Sequence, residues 1–198
     1  MRLATTLAIL ATLLLTPPVT AAPSDSPPRP WTLLIYGAAD NNADGPILEF
    51  LNDLRQAHAN DPGLEMILFL DRSEGFSTDA TCLGEDFTDA RLYRLRMDTA
   101  ERLSGGEEFP EITLDSTYEA DSADAENLRK FVAFGKRHFP AERYGLMIYS
   151  HADGQAMCPD EESGREMGIA ELTATLSEEH AVDFLALELC NMSGIEIA

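Results

Sequence analysis

Two residues of this chain pair reactive chemistry with a favourable place in a predicted strand, and they are Cys190 and His151. Cys190 closes the apolar run Val182 to Leu189, within AVDFLALELCNMSGIEIA at residues 181–198. A short continuous run of this kind reads as a strand buried on both faces of a parallel sheet; a buried helix is the alternative that periodicity alone leaves open. Tyr144 to Ser150 (YGLMIYS) has the same design and delivers His151 at its end. Open α/β sheets collect ligands beyond the carboxyl ends of their strands. If these two strands are neighbours, a thiol and an imidazole share one edge, the pairing that nucleophilic cysteine chemistry needs. The rival reading of His151 is a structural histidine. His58 and His138 fall in predicted helices and His180 in an acidic turn, so none of them competes as a base.

The rest of the chain supplies elements that could position such a pair. Trp31 to Tyr36 (WTLLIY) reads as a first strand, with Gly37-Ala38-Ala39 allowing a tight turn. Asp40, Asn41 and Asn42 are natural caps for a helix carrying Ile47, Leu48, Phe50, Leu51 and Leu54. Leu64 to Leu70 is a second strand and Arg91 to Leu95 a third, separated by an irregular loop from Phe76 to Asp89. Thr99 to Ser116 reads as acidic loop. Asp121 to Phe139 reads as a helix capped by Asp121 or Ser122, with Leu128, Phe131, Val132 and Gly135 on one face. Asp153 to Gly168 reads as polar loop, followed by helical stretches from Ile169 to Leu176 and Ser177 to His180. Apolar strands alternating with helices imply an α/β fold, a mostly parallel sheet flanked by helices.

Composition narrows the function classes. The 198 residues carry a net charge of -21 and are 44% hydrophobic, enough for one domain with a sizeable core. Such a charge argues against nucleic acid as a partner and favours basic ligands, its plainer consequence being solubility. Residues 1–22 have the marks of a secretory signal peptide: Arg2, the apolar stretch Leu3 to Leu15, and small residues before cleavage after Ala21 or Ala22. Residues 23–30 (PSDSPPRP) read as a proline-rich linker, leaving 31–198 as the folded domain. The expected location is therefore secreted or periplasmic, with no membrane span once the signal is removed. Gly194 to Ala198 reads as the first turn of a helix, so the domain is expected to be C-terminally truncated.

Three cysteines in an exported protein raise the question of a bridge. Cys82 and Cys158 both lie in polar loops, and the expectation is that they pair and leave Cys190 free; three unpaired thiols are the alternative. Asp40-x-Asn42-x-Asp44-Gly45 matches the opening of a calcium-binding EF-hand loop, but Leu51 stands where the bidentate glutamate belongs. A helix N-terminus rich in Asp and Asn is the better reading. Asp40 is kept as a candidate for calcium or for a basic substrate group.

Four stretches resemble the clostripain family of cysteine peptidases, within the caspase-like clan. Trp31 to Asn42 is similar to the family's opening strand and its Asp-Asn-Asn turn. Arg143 to His151 resembles the strand bearing the catalytic histidine, Ala181 to Cys190 the strand bearing the nucleophile, and Asn191 to Ala198 the helix behind it. The resemblance implies a caspase-like sheet and an endopeptidase cleaving after Arg or Lys, with His151 and Cys190 as the dyad. It also implies an oxyanion site built from the backbone N–H groups of Ala152 and Cys190. Glu188, with Asp40, would receive the basic P1 side chain. Period-2 alternation places Glu188 and Cys190 on one side of the strand, which suits that role.

Two positions depart from the family pattern: Ala152 replaces a glycine, and Glu188-Leu189-Cys190 replaces Asp-Ala-Cys. Alanine keeps the N–H donor provided its φ is negative. No metal or cofactor is needed for this chemistry, although calcium is a structural addition in some relatives. Some relatives also cut themselves between the histidine and the cysteine. Arg165, the only Lys or Arg in that interval, is the candidate for such a cut, against the plainer reading of a surface arginine. The alternative function is an inactive caspase-like domain that binds basic peptides or a partner protein.

Overall fold

A computed structural model of the chain describes residues 29–58, 61, 63–178 and 182–191. The expected signal peptide, most of the linker, His180 and the helix expected after Asn191 lie outside these residues. The element order is β1 (Arg29–Ala39), α1 (Asp44–His58), β2 (Leu64–Arg72), β3 (Ala90–Leu95), β4 (Ala100–Leu103), α2 (Ala125–His138), β5 (Ala141–Tyr149), β6 (Ala156–Asp160), β7 (Arg165–Gly168), α3 (Ile169–Glu178) and β8 (Phe184–Glu188). β1 thus begins two residues before the expected Trp31.

Six strands form one sheet in the order β4-β3-β2-β1-β5-β8, and β6 and β7 form a separate hairpin. β2, β1, β5 and β8 run parallel, as the alternation of strands and helices implies. β3 and β4 pair antiparallel at the other edge, so the sheet is mixed and mostly parallel, as expected. The segment joining β2 to β3 contains no helix, and parallel pairing requires a long crossover; without one the chain doubles back.

Alternation along the strands divides the core between the two faces of the sheet. Leu33 and Ile35 of β1, with Met66, Leu68 and Leu70 of β2, pack under α1 through Ile47, Leu48 and Leu51. Leu34 and Tyr36, with Ile67 and Phe69, pack under α2 through Leu128, Phe131 and Val132, and under α3 through Leu172. Tyr36 stacks on Phe69 with ring centroids 4.8 Å apart and donates its hydroxyl to Ser122 O at 3.0 Å. A buried tyrosine needs such an acceptor, since an unmet hydroxyl costs about 1–3 kcal/mol.

α2 is capped by Asp124, whose side chain accepts from Glu126 N at 2.9 Å, and neither Asp121 nor Ser122 serves as its cap. Asp121 Oδ1 instead accepts from Ala123 N, and Ser122 bonds Asp160. Lys136, Arg137 and His138 occupy the last turn of α2, where positive charge suits the helix dipole.

Candidate active site

β5 and β8 are adjacent and parallel, with Tyr149 opposite Glu188 at the end of the ladder. His151 follows Tyr149 by two residues and Cys190 follows Glu188 by two, so the register carries both to the same level beyond the sheet. Ser150 N donates to Glu188 O at 3.4 Å and holds the two strand ends together. The expected neighbourhood of the imidazole and the thiol is thus what the topology produces. Both residues line one cleft of about 310 Å³, together with Ala43, Pro46, Tyr149, Ser150, Glu188 and Leu189.

The cleft lies on the α1 side of the sheet edge. Tyr149 packs its ring on Phe50 of α1 with centroids 5.1 Å apart. Burial, followed by the negative charges of Glu188, Glu49 and Cys190, pushes the Tyr149 phenol up from its ordinary value. Glu188 and Cys190 are exposed, whereas Cys82 and Cys158 are buried. His151 is half-buried, and its Nε2 is buried with no hydrogen-bond partner among the described residues. An unmatched buried ring nitrogen is uncommon.

The turn after Cys190 is tight: Asn191 has φ 57°, in the left-handed region that asparagine tolerates better than most residues. Ala152 has no positive φ, so the methyl group that replaces glycine there brings no backbone strain. Ala152 faces Met157 across an isolated antiparallel bridge. The bonds of that bridge are Cys158 N to His151 O at 3.0 Å and Asp153 N to Ala156 O at 3.2 Å. The pattern sends the Ala152 N–H away from the hairpin, leaving it free to serve as a donor elsewhere.

Several expected assignments are corrected. Cys82 and Cys158 do not form a disulfide; both are free thiols. Cys82 belongs to the core under α1 and Cys158 to the core under α2, so the sheet itself stands between them. Burial raises the Cys158 thiol to about 12 and raises Cys82 as well, making both poor nucleophiles.

Asp40 is no part of the cleft wall. It is 5% exposed; its Oδ2 accepts from Glu162 N and its carbonyl from Glu161 N, both at 2.9 Å, so it anchors the turn between β6 and β7. Asp44 is likewise unavailable to a calcium ion, because Arg72 takes both its oxygens, at 2.7 and 3.1 Å. Among the described residues no group of three or more His, Cys, Asp or Glu side chains is disposed to hold a metal ion. Arg165 opens β7 and pairs with Asp121 at 2.6 Å, in keeping with the plainer reading of a surface arginine.

The sequence reading missed Ala43, Pro46 and Tyr149, which also line the cleft. Only the parity of Tyr149 with Glu188 could have signalled its place.

A thiol and an imidazole brought by adjacent parallel strands to one cleft is a layout that α/β thiol hydrolases use. Comparison with known proteins specifies the class. Residues 35–198 match the model of the clostripain family, peptidase family C11. Clostripain from Hathewaya histolytica is 36% identical, over 84% of this chain and 35% of that protein. The chain belongs to the clostripain family of cysteine peptidases. Its fold is similar to that of a secreted C11 cysteine protease from Bacteroides thetaiotaomicron solved with an irreversible peptide inhibitor. That likeness has a TM-score of 0.63 and 23% identity, covering 84% of this chain and 44% of the other. An inactive zymogen C11 protease from Parabacteroides distasonis is similar to the same degree, TM-score 0.63 and 23% identity over 88% and 46% of the two chains. The present chain therefore spans about a third of the length of clostripain and under half of these two structures.

Proposed function

We propose that the protein is an exported cysteine endopeptidase that cleaves peptides after Arg or Lys, with Cys190 and His151 as its dyad. The observation carrying this reading is the shared cleft at the ends of β5 and β8, where an exposed thiol, an imidazole with an unclaimed nitrogen and the Glu188 carboxylate stand together. Cys190 Sγ, as thiolate, attacks the scissile carbonyl carbon; the proton it gave up resides on His151. The carbonyl oxygen becomes an oxyanion met by the N–H groups of Ala152 and Cys190. As the C–N bond breaks, His151 passes its proton to the leaving amine, and an acyl group remains on Cys190. Water, deprotonated by His151, then releases the acid and restores the thiolate.

Glu188 selects the basic P1 side chain by a charge-assisted hydrogen bond, being on the same side of its strand as Cys190. The net charge of -21 adds long-range attraction for basic peptides at low salt. Export rests on the signal-like residues 1–22.

The test is covalent labelling with a biotinylated arginyl acyloxymethyl ketone, beside an analogue with a neutral P1 residue. Labelling by the arginyl probe that disappears in Cys190→Ala is the expected result. A protein that binds the probe reversibly but is never labelled would be an inactive peptide-binding domain, and the proposal would fail.

A further inference from the structure

We propose that Asn41 is the positioning residue that fixes His151 relative to Cys190, an inference that rests on the peptidase reading above. Asn41 lies just beyond β1 and is 3% exposed. Both ends of its carboxamide are engaged. Nδ2 donates to Pro159 O at 2.7 Å and to Ala38 O at 3.2 Å, and reaches Ser150 Oγ at 3.5 Å. Oδ1 accepts from Ala43 N at 2.8 Å. These partners come from four separate pieces of the molecule: β6, β1, the residue after β5, and the approach to α1.

Each of these pieces leads to the cleft. Ser150 directly precedes His151, and its hydroxyl donates to Ala38 O at 2.6 Å while its N–H holds Glu188 O. Cys158 precedes Pro159; it is a non-glycine residue held at φ 54°, and from that conformation its N–H donates to His151 O at 3.0 Å. Ala43 is itself part of the cleft wall. The chain segments on either side of the imidazole are therefore tied to one buried amide, which is not among the residues lining the cleft. A fully satisfied buried polar network of this kind specifies one arrangement where an apolar contact would allow several. A displacement of about 1 Å at a reacting group can cost on the order of 100-fold in rate.

The test uses Asn41→Ser. A serine hydroxyl can keep the local turn to Ala43 N but is too short to reach Pro159 O, so the turn leading into α1 is kept while the hairpin is released. Asn42→Ala, at the exposed neighbouring position, is the control. Expected for Asn41→Ser is labelling by the arginyl ketone slowed at least about 10-fold, with unchanged far-UV circular dichroism. The ring resonance of His151, assigned by its loss in His151→Gln, is expected to move in Asn41→Ser and stay fixed in Asn42→Ala. Ser150→Ala, which removes the hydroxyl that donates to Ala38 O and that Asn41 Nδ2 reaches, serves as a second variant and moves the same resonance. Labelling within twofold of wild type overturns the inference, as does slower labelling with the His151 resonance unmoved. Should the wild-type protein itself fail to label, the peptidase reading falls, and the resonance shift still decides whether Asn41 positions the imidazole.

Discussion

Glu188 shows how one side chain sets specificity in the proposed reaction. It is exposed at the end of an edge strand, two residues before Cys190, and the Tyr149 ring beneath it feels its charge. In that reaction a carboxylate in this place would receive the arginyl or lysyl side chain at P1. A hydrogen bond to a charged partner is worth about 1.5–3 kcal/mol, so Glu188→Gln is expected to lower kcat/KM for an arginyl substrate about 10–100-fold. Turnover of a substrate with norleucine at P1 should change by less than about twofold, because that side chain never used the charge. Parallel losses on both substrates would show that Glu188 supports the cleft instead of reading P1. That His151 and Cys190 share one cleft was legible because apolar strands announce their ends, and the parity of Glu188 with Cys190 because alternation has a fixed period. Cys158 and Asp40 were not legible. Cys158 follows a polar stretch yet is 0% exposed, and Asp40 looks like a free acidic residue until the β6–β7 turn closes over it.

Elements differ in how much they depend on partners distant in sequence. β1, β2, β5 and β8 have apolar runs of their own, and α2 has a clear apolar face, so all were readable from local pattern, although β8, expected to be buried on both faces, is an edge strand among the described residues with Phe184 and Leu185 exposed. β4 (AERL), β6 (AMCPD) and β7 (REMG) are four or five residues long and partly polar, and only their antiparallel neighbours make them strands. Gly135 illustrates the opposite case, a position where close packing demands a particular residue. A Cβ there would stand 3.1 Å from Leu34 Cδ1 and 3.3 Å from Cγ, with Cδ2 closer still, and Leu34 is fully buried in the central strand. Alanine in mid-helix gains about 1 kcal/mol over glycine by propensity. Overpacking against a fixed core costs about 1–3 kcal/mol, and here the whole Leu34 branch must give way. Gly135→Ala is therefore expected to destabilise the fold by about 1 kcal/mol net, read as a Tm lower by about 2–4 °C. A raised Tm would mean that α2 can slide away from β1.

At the scale of the molecule, the uneven distribution of acidic charge affects stability. Asp71, at the end of β2, is fully buried, and neither carboxylate oxygen has a partner among the described residues. Burial, followed by Glu119, Asp160 and Asp40, pushes its carboxyl well above the ordinary range. Ser122, the neighbour that works against this shift, already donates to Asp160. Glu119 is raised to about 8, first by burial and then by Glu162, Asp40, Asp160 and Asp89. A carboxyl whose folded pKa is raised holds its proton in the native state while the unfolded chain has already released it. Stability then falls as pH rises, through the window from about 4.5 to about 8 for Glu119, and levels off above it. Glu119→Gln cannot ionise and escapes that loss. Near pH 4.5 the variant and the wild type should melt together. At pH 8 the variant should be the more stable by on the order of 1 kcal/mol, a figure reduced for the partial exposure of Glu119, with a Tm about 2–4 °C higher. Thermal melts at the two pH values decide the matter: a separation that does not grow with pH would show that the Glu119 carboxyl is not raised in the native state.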